Sequence, residues 1–367
     1  MHIAMIGVRG IPARSGGAEH VVEELSRELS AMGHEVLVYS RRAYVDGSPP
    51  PPWAHRVITP ALPGKHLEAI SHTATALADA RRRRVDLVHL HGPGPALLSW
   101  LPALARLPVV LTIHAPDWQR RRWSWPARLA LQTGLAVGLR CAAAVTAVSW
   151  PLAQDLTRRF GMAVTYIPNG VRFPPAVGAE LVTSLGLQPR HYGLAVGRIV
   201  PEKRLDLLLR AWTRAGTDWP LVVVGQVQDR SYGRLCRRLA KQGNVCMLGE
   251  RTGDELSALC QNSGFVLLPS ELEGMSLVLL EAAANGCCIL AADIPANSAT
   301  MQDSILYFKC NDADDLAIRI SRLIPDLGLR EEYARRARQK ARQYDWAESA
   351  RQMEGVYRLV TGRKERS

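Results

Sequence analysis

Short, nearly continuous apolar runs alternate with amphipathic segments along almost the whole chain, and the alternation occurs twice. In the first half the runs are HIAMIGV, EVLVYS, RVITP, DLVHLH, VVLTIHA, AAVTAVS and VTYIP. Helical spacing predicts helices between them over Ala18 to Met32, Leu67 to Arg82, Pro95 to Ala105, Pro126 to Leu139 and Pro151 to Arg159. The second half repeats the scheme with YGLAVGR, LVVVGQ, NVCMLGE, FVLLPS, CILAAD and ILYF. A strand covered by helices on both faces has no polar side to present, so its sequence is apolar throughout rather than alternating. The predicted class is therefore α/β, with two doubly wound parallel sheets. Residues 169–180, NGVRFPPAVGAE, carry a turn dipeptide and a Pro/Gly excess that suit a linker between the halves. Helical patterns close the chain from Asp312 to about Val360, with a break near Tyr344 and Asp345.

A chain of 367 residues exceeds the usual single core, which agrees with two domains. HIAMIGV has no charged stretch before it and reads as a strand rather than a signal peptide. The longest apolar stretches are interrupted by Arg140 and Glu281, so no span reaches membrane length. Seven cysteines, an odd number without CxxC spacing, argue against a disulfide framework and a zinc ribbon; the expectation is a cytoplasmic protein with reduced thiols. The net charge of +12 is concentrated early: residues 1–175 hold 20 Lys and Arg against 11 Asp and Glu, the remainder 26 against 23. Its densest pieces are Arg81 to Arg84 and DWQRRRWSW at 117–125, where Arg120, Arg121 and Arg122 lie among Trp118, Trp123 and Trp125. Arginines mixed with tryptophans suit an anionic membrane surface, cations on lipid phosphates and indoles at headgroup level. A solvated charged face explains the same residues equally well. Nucleic acid is not an expected partner, because no recognition motif accompanies the charge.

The stretch Ser270 to Asp293, SELEGMSLVLLEAAANGCCILAAD, places two carboxylates where a strand hands over to a helix. GFVLLP before it is of strand type, and Met275 to Asn285 has helical spacing up to the stop at Gly286. Glu273 falls in the turn and Glu281 about two turns into the helix, so both can face one ligand along that edge. A first-turn acid favoured by the helix dipole and a solvated helix residue account for the spacing alone. Glu281, however, is set among Leu279, Leu280, Ala282, Ala283 and Ala284, where a carboxylate needs a donor such as a sugar or ribose hydroxyl. The N–H groups of Gly274, Met275, Ser276 and Leu277, at the positive helix end, suit an anion such as phosphate.

Open parallel sheets bind ligands beyond the carboxyl ends of their strands, so two such sheets point to a crevice between those edges. After the first strand comes GVRGIPARSGGAEH, in which Gly16 and Gly17 precede a helix and allow close backbone approach to a diphosphate. HGPGP at 91–95 reads as a turn. His114 follows the fifth strand, with Asp117 beyond it; there a histidine can bond sugar hydroxyls or act as acid or base, and a satisfied loop histidine is the alternative. GRIVPEKRLD at 197–206 sets Arg198 at a strand end and Lys203 at a helix start, two cations able to converge on a departing diphosphate or simply to be solvated.

In order and spacing, the glycine pair, His114 in VVLTIHA, GRIVPEK and ELEGMSLVLLEAAANG together resemble the family 4 (group 1) retaining glycosyltransferases of the GT-B fold. AVTAVS, IPNGV and the closing YDWAESARQMEGVY extend the resemblance over most of the chain, and IGVRGIPARSGGAEHVVEEL is similar to members acting in bacterial polysaccharide assembly. The resemblance implies an acceptor-side domain over 1–172, a nucleotide-sugar domain over 173–344, and a helix over 345–367 returning to the first. It implies that Glu273 holds donor-sugar hydroxyls, Glu281 the ribose, and Arg198 with Lys203 the diphosphate. Backbone N–H groups of Gly274 to Leu277 and of Gly17 then contact sugar and phosphates, and His114 faces the donor sugar or the acceptor hydroxyl. No metal and no cofactor are implied; Asp312 to Asp314, the one D-x-D string, reads as a helix cap. Met275 and Cys288 depart from an aromatic residue and a proline common in such enzymes, which alters the wall of the donor pocket. The expected acceptor is a lipid-linked saccharide at the inner membrane face. A GT-B sugar-nucleotide epimerase is the alternative enzyme, and a noncatalytic sugar-nucleotide-binding or nucleic-acid-binding protein the alternative class.

Overall fold

The computed structural model describes all residues except Ser15, Asp46, Ser48, Lys65, His66, Arg121, Arg122 and 363–367. Two compact units are present, one formed by Met1–Gly170 with Trp346–Ser367, the other by Val171–Asp345.

The first unit holds strands β1 (His2–Ile6), β2 (Glu35–Arg41), β3 (His55–Thr59), β4 (Leu87–His91), β5 (Val109–Ile113), β6 (Ala144–Ala147) and β7 (Thr165–Tyr166). They form one parallel sheet in the order β3-β2-β1-β4-β5-β6-β7. Ile3 is opposite Val36 on one side and Leu87 on the other, which fixes the register at the sheet's centre. Successive β1 side chains feed two different cores: Ile3 and Met5 pack with Val22, Leu25 and Leu29, whereas Ala4 and Ile6 pack with Ala76, Leu77 and Leu139. The second unit holds β8 (Gly193–Val196), β9 (Leu221–Val224), β10 (Val245–Gly249), β11 (Phe265–Leu268), β12 (Ile289–Ala292) and β13 (Leu306–Phe308). Their order is β10-β9-β8-β11-β12-β13, again parallel. Every strand expected from the apolar runs is present.

Helix boundaries depart from expectation where a local polar or backbone feature intervenes. The segment predicted as one helix over Pro95 to Ala105 is two pieces, Pro93–Ala96 and Trp100–Leu104. A continuous helix would need an N–H from Pro102 to the Leu98 carbonyl, and proline has none. The C-terminal helical region is also broken twice, into Ala313–Leu323, Leu327–Ala341 and Trp346–Thr361. The first break falls at Pro325, after which Asp326 Oδ1 accepts from Leu329 N–H at 2.9 Å and caps the next helix.

Helix Trp346–Thr361 packs against helix Gly17–Ala31 and puts Ala350, Met353 and Tyr357 into the core beneath β1. Ser349 Oγ donates to Pro168 O at 2.7 Å, and Tyr357 Oη lies 2.6 Å from His89 Nδ1 inside the sheet's cover. Among the described residues, no helix is long and apolar enough to cross a membrane.

Candidate functional site

In each sheet the strand order reverses beside the first strand of the unit, between β1 and β4 and between β8 and β11. Such a switch point leaves the connecting loops diverging to opposite faces, so a crevice opens beyond the strand ends. The candidate residues of the second unit follow β8 and β11, the two strands at its switch point.

After β8 the chain turns at Gly197, whose φ of 146° lies where glycine is favoured. The turn also brings Gly197 O against Gly225, so tightly that a Cβ at Gly225 would overlap it. Arg198 follows, its Nη1 donating to Gln228 Oε1 at 3.4 Å. A short turn of 3-10 helix, Pro201–Lys203, then ends at Arg204 in the left-handed conformation, and helix Leu205–Ala215 begins. Lys203 thus closes the 3-10 turn, two residues before that helix, rather than opening the helix. After β11, Glu273 occupies the turn, and its Oε1 lies 2.5 Å from Lys203 Nζ. The structure therefore brings together a cation and a carboxylate separated by 70 residues, both largely shielded from solvent.

The helix expected from Met275 begins two residues later, at Leu277, and ends at Ala284. Ser276 sets the boundary: its Oγ accepts from Leu279 N–H at 3.3 Å while its carbonyl accepts from Leu280 N–H. Gly274, Met275 and Ser276 are buried in the turn leading to this positive helix end. Glu281 stands in the second turn and is half-buried, and its carbonyl accepts from both Asn285 N–H groups, backbone and side chain, at 2.9 Å. In the D-x-D string, Asp312 Oδ1 accepts from the N–H groups of Asp314 and Asp315, as an N-cap does.

Gly16, Gly17 and His114 belong to the first unit. Helix Gly17–Ala31 starts on the glycine pair, and the reason for glycine at 16 is a side chain the sequence reading passed over. A Cβ there would overlap Glu19 Oε2 and meet Arg9 Nη2 at 2.7 Å. Glu19 Oε1 accepts from Arg9 Nε at 2.8 Å and from Arg9 N–H at 3.2 Å. Burial works against ionising Glu19, yet the hydrogen bond and charge of Arg9 outweigh it and hold the carboxyl below its usual range.

His114 leaves the end of β5 and stacks on His91, the last residue of β4, with ring centroids 5.2 Å apart. His91 Nδ1 is 3.0 Å from His114 Nε2, and His91 Nε2 is 3.4 Å from Met5 Sδ. Behind them His89 links Tyr357 Oη to Thr112 Oγ1, each at 2.6 Å. Desolvation lowers all three imidazoles, His114 to about 4 and His89 to about 3, so the cluster is neutral at neutral pH. His91, Thr112 and His114 line, with Asn169, Trp346 and Ser349, a cavity of about 20 Å³, room for a single water. The histidines at 89 and 91 were readable as a signal: two imidazoles on one face of an otherwise apolar strand need partners inside the fold.

The tryptophan-rich segment differs from its expectation. Trp118 is buried in the core and Arg120 Nε bonds Asp117 Oδ1 at 2.7 Å, so neither is an outward-facing group. Arg121 and Arg122 lie outside the described residues. Trp125 is the tryptophan of this segment that stands out, 77% exposed at the start of helix Trp125–Cys141.

The sequence profile described as Glycosyltransferase Family 4 matches residues 15–173, and that of Glycosyl transferases group 1 matches 186–340. The chain belongs to the family 4 glycosyltransferases. Among its relatives, a D-inositol 3-phosphate glycosyltransferase of Salinispora arenicola is 29% identical, over 94% of this chain and 87% of the relative. The phosphatidyl-myo-inositol mannosyltransferase of Mycolicibacterium smegmatis is 26% identical, over 95% and 91%. Of solved structures, a sucrose-phosphate synthase from Thermosynechococcus elongatus superposes with a TM-score of 0.85 at 22% identity, covering 99% of this chain and all of that one. HepE of Anabaena, solved with UDP and glucose, gives 0.81 at 19% identity, over 97% and 99%. The two α/β units are those of the GT-B fold. The glycosyltransferase activity follows from the family.

Proposed function

We propose that this glycosyltransferase moves a hexose from a nucleoside-diphosphate sugar to a hydroxyl, with retention at the anomeric carbon and without a metal ion. Its acceptor is a lipid-linked saccharide for cell-surface polysaccharide, met in the cytoplasm at the inner membrane face. The observation that carries the reading is the meeting of Lys203 and Glu273 at the switch point of the second sheet. In this role Lys203, with Arg198, takes the diphosphate, and Glu273 orients donor-sugar hydroxyls while Glu281 holds the ribose. N–H groups of the 274–277 turn and of Gly16–Gly17 face phosphate and sugar.

The bond from the anomeric carbon to the β-phosphate oxygen breaks, and the acceptor oxygen bonds that carbon from the same face. The acceptor proton passes to the departing phosphate oxygen. Positive charge aimed at the oxygen where negative charge develops lowers this barrier without a metal. His114 serves a hydroxyl of donor or acceptor.

Exposed apolar side chains support the membrane contact. Trp100, Leu101 and Leu104 on one helix and Trp125 and Leu129 on its packing neighbour are exposed, Leu104 at 78%. Two relatives carry the names phosphatidyl-myo-inositol mannosyltransferase and O-antigen chain mannosyltransferase B, which supports lipid and polysaccharide acceptors.

A panel of nucleotide sugars, offered with and without lipid-linked acceptors, tests the reading. It expects a glycoside plus nucleoside diphosphate in equal amounts, with the donor's anomeric configuration kept and the rate unchanged by chelator. Nucleoside diphosphate without glycoside points instead to the epimerase, and transfer restored only by added Mg²⁺ removes the metal-free mechanism.

A further inference from the structure

The histidine pair at the ends of β4 and β5 has a direction. His91 Nε2 faces Met5 Sδ at 3.4 Å, and a thioether sulfur can only accept. A bare lone pair there would oppose the sulfur's own, so Nε2 carries the proton. His91 is buried and neutral, because desolvation holds its pKa well below the ordinary value. A neutral imidazole has one N–H, which leaves His91 Nδ1 as an acceptor. Its partner is His114 Nε2 at 3.0 Å, which must therefore donate. His114 is neutral for the same reason and has spent its single N–H on His91. Its Nδ1 is then an unprotonated lone pair, and that atom is buried with no hydrogen-bond partner among the described residues. A buried acceptor without a donor is unfavourable, so the fold maintains a standing demand for a donor at that atom.

We infer that His91, anchored by Met5, is a positioning residue that fixes the tautomer of His114, and that His114 accordingly accepts from a substrate hydroxyl and does not bond a phosphate oxygen. The inference rests on the glycosyl-transfer reading for the identity of that hydroxyl, which is one of a sugar. It does not rest on it for the proton chain, which is a property of the first unit alone. A neutral Nδ1 repels a phosphate oxygen, lone pair against lone pair, whereas a sugar O–H supplies what it lacks. His89 is not part of the chain, since its two nitrogens are engaged by Tyr357 and Thr112. Its ring lies tilted against that of His91, centroids 4.1 Å apart, and, were either ring charged, would disfavour the other's proton.

The test has two independent arms. In the full-length protein with ¹⁵N-labelled histidine, a long-range ¹H–¹⁵N correlation spectrum at pH 7.5 should show His114 with a pyridine-like Nδ1 and a protonated Nε2, the His114→Asn variant providing the assignment. A protonated Nδ1 overturns the inference whether or not a donor has been found. In the second arm, His91→Asn places an amide oxygen where Nδ1 stood and retains the acceptor, while His91→Leu removes it. With a donor that the wild type turns over, His91→Leu should lose roughly ten- to hundredfold in kcat/KM, and His91→Asn should stay within about threefold of wild type. Equal losses in two variants that keep the wild-type circular dichroism overturn the positioning role. If no nucleotide sugar is consumed by the wild type, the functional reading fails and the spectrum still decides the tautomer.

Discussion

Lys203 and Glu273 illustrate how far a single side chain can be read before its partner is seen. Each was legible separately, Lys203 from its place after a strand-end arginine and Glu273 from its spacing to Glu281, but their contact at 2.5 Å depends on β8 and β11 being neighbours. Removing the ammonium takes away the charge proposed to meet the leaving diphosphate and leaves a carboxylate without its cation. Lys203→Ala should therefore lower kcat/KM for the donor by about 10²–10³-fold with the fold intact. Glu281→Ala should likewise abolish turnover through lost ribose binding. Steady-state rates beside circular dichroism decide both, and a normal rate in either folded variant removes that assignment. Gly16 shows the opposite case, in which a residue was noticed for one reason and is required for another. Its missing Cβ admits the Glu19 carboxylate and the Arg9 guanidinium, partners that sequence spacing does not announce because the turn between them folds back on itself. Gly16→Ala should destabilise the first unit by about 1–3 kcal/mol, seen as a lower melting temperature. Adding Glu19→Ala removes the atom that the new methyl strikes, so the double variant should lose less than the two single changes combined.

At the scale of elements, strands were the most legible feature, because both faces of each sheet are covered and hydrophobicity alone marks them. Helix ends were less legible. Apolar Met275 continues the helical period toward the strand, yet Ser276 takes the capping position and starts the helix at Leu277. A periodicity measures which face is buried, not which oxygen accepts the first free N–H. The same limit applies to helix Trp125–Cys141 and the segment before it. Three tryptophans in nine residues look equivalent in sequence, but Trp118 belongs to the core and Trp125 to the surface. The membrane contact is thus proposed for the exposed Trp125 and Leu129 together with Trp100, Leu101 and Leu104 on the helix packed beside them. Replacing Trp125 and Leu129 by Ser should reduce partition onto anionic vesicles by on the order of tenfold or more, since each buried apolar side chain contributes about 1.5–3 kcal/mol. Vesicle co-sedimentation measures it; unchanged partition with normal melting discards this surface.

Across the whole molecule, histidine is distributed unequally: of ten in the chain, only His191 belongs to the second unit. In the first unit, desolvation lowers His72 to about 4, His89 to about 3 and His114 to about 4, and pushes His91 well down. The linkage has a definite sign. At neutral pH these rings are uncharged in both folded and unfolded chains, and the native state has its full stability. As pH falls below about 6.5, the ordinary value, the unfolded chain takes up protons that the folded one refuses. Stability is lost through that window until the folded rings themselves titrate near 4 to 3. Glu19 and Glu354, both held below their ordinary range, add a loss of the same sign at lower pH, as their carboxylates are protonated and the contacts with Arg9, and with Arg358 and His34, weaken. The acid limb therefore belongs first to the first unit, between about pH 6.5 and 4.5. Hydrogen exchange read by peptide, corrected for the intrinsic rate, should show protection falling over that range in β4, β5 and the helices covering them, while β8, β9 and β11 keep theirs. Simultaneous loss in both units would show that acid acts through some other group. A His72→Leu variant refines the assignment, since it removes one refused proton from a buried position and should flatten the slope of melting temperature against pH above 4.5.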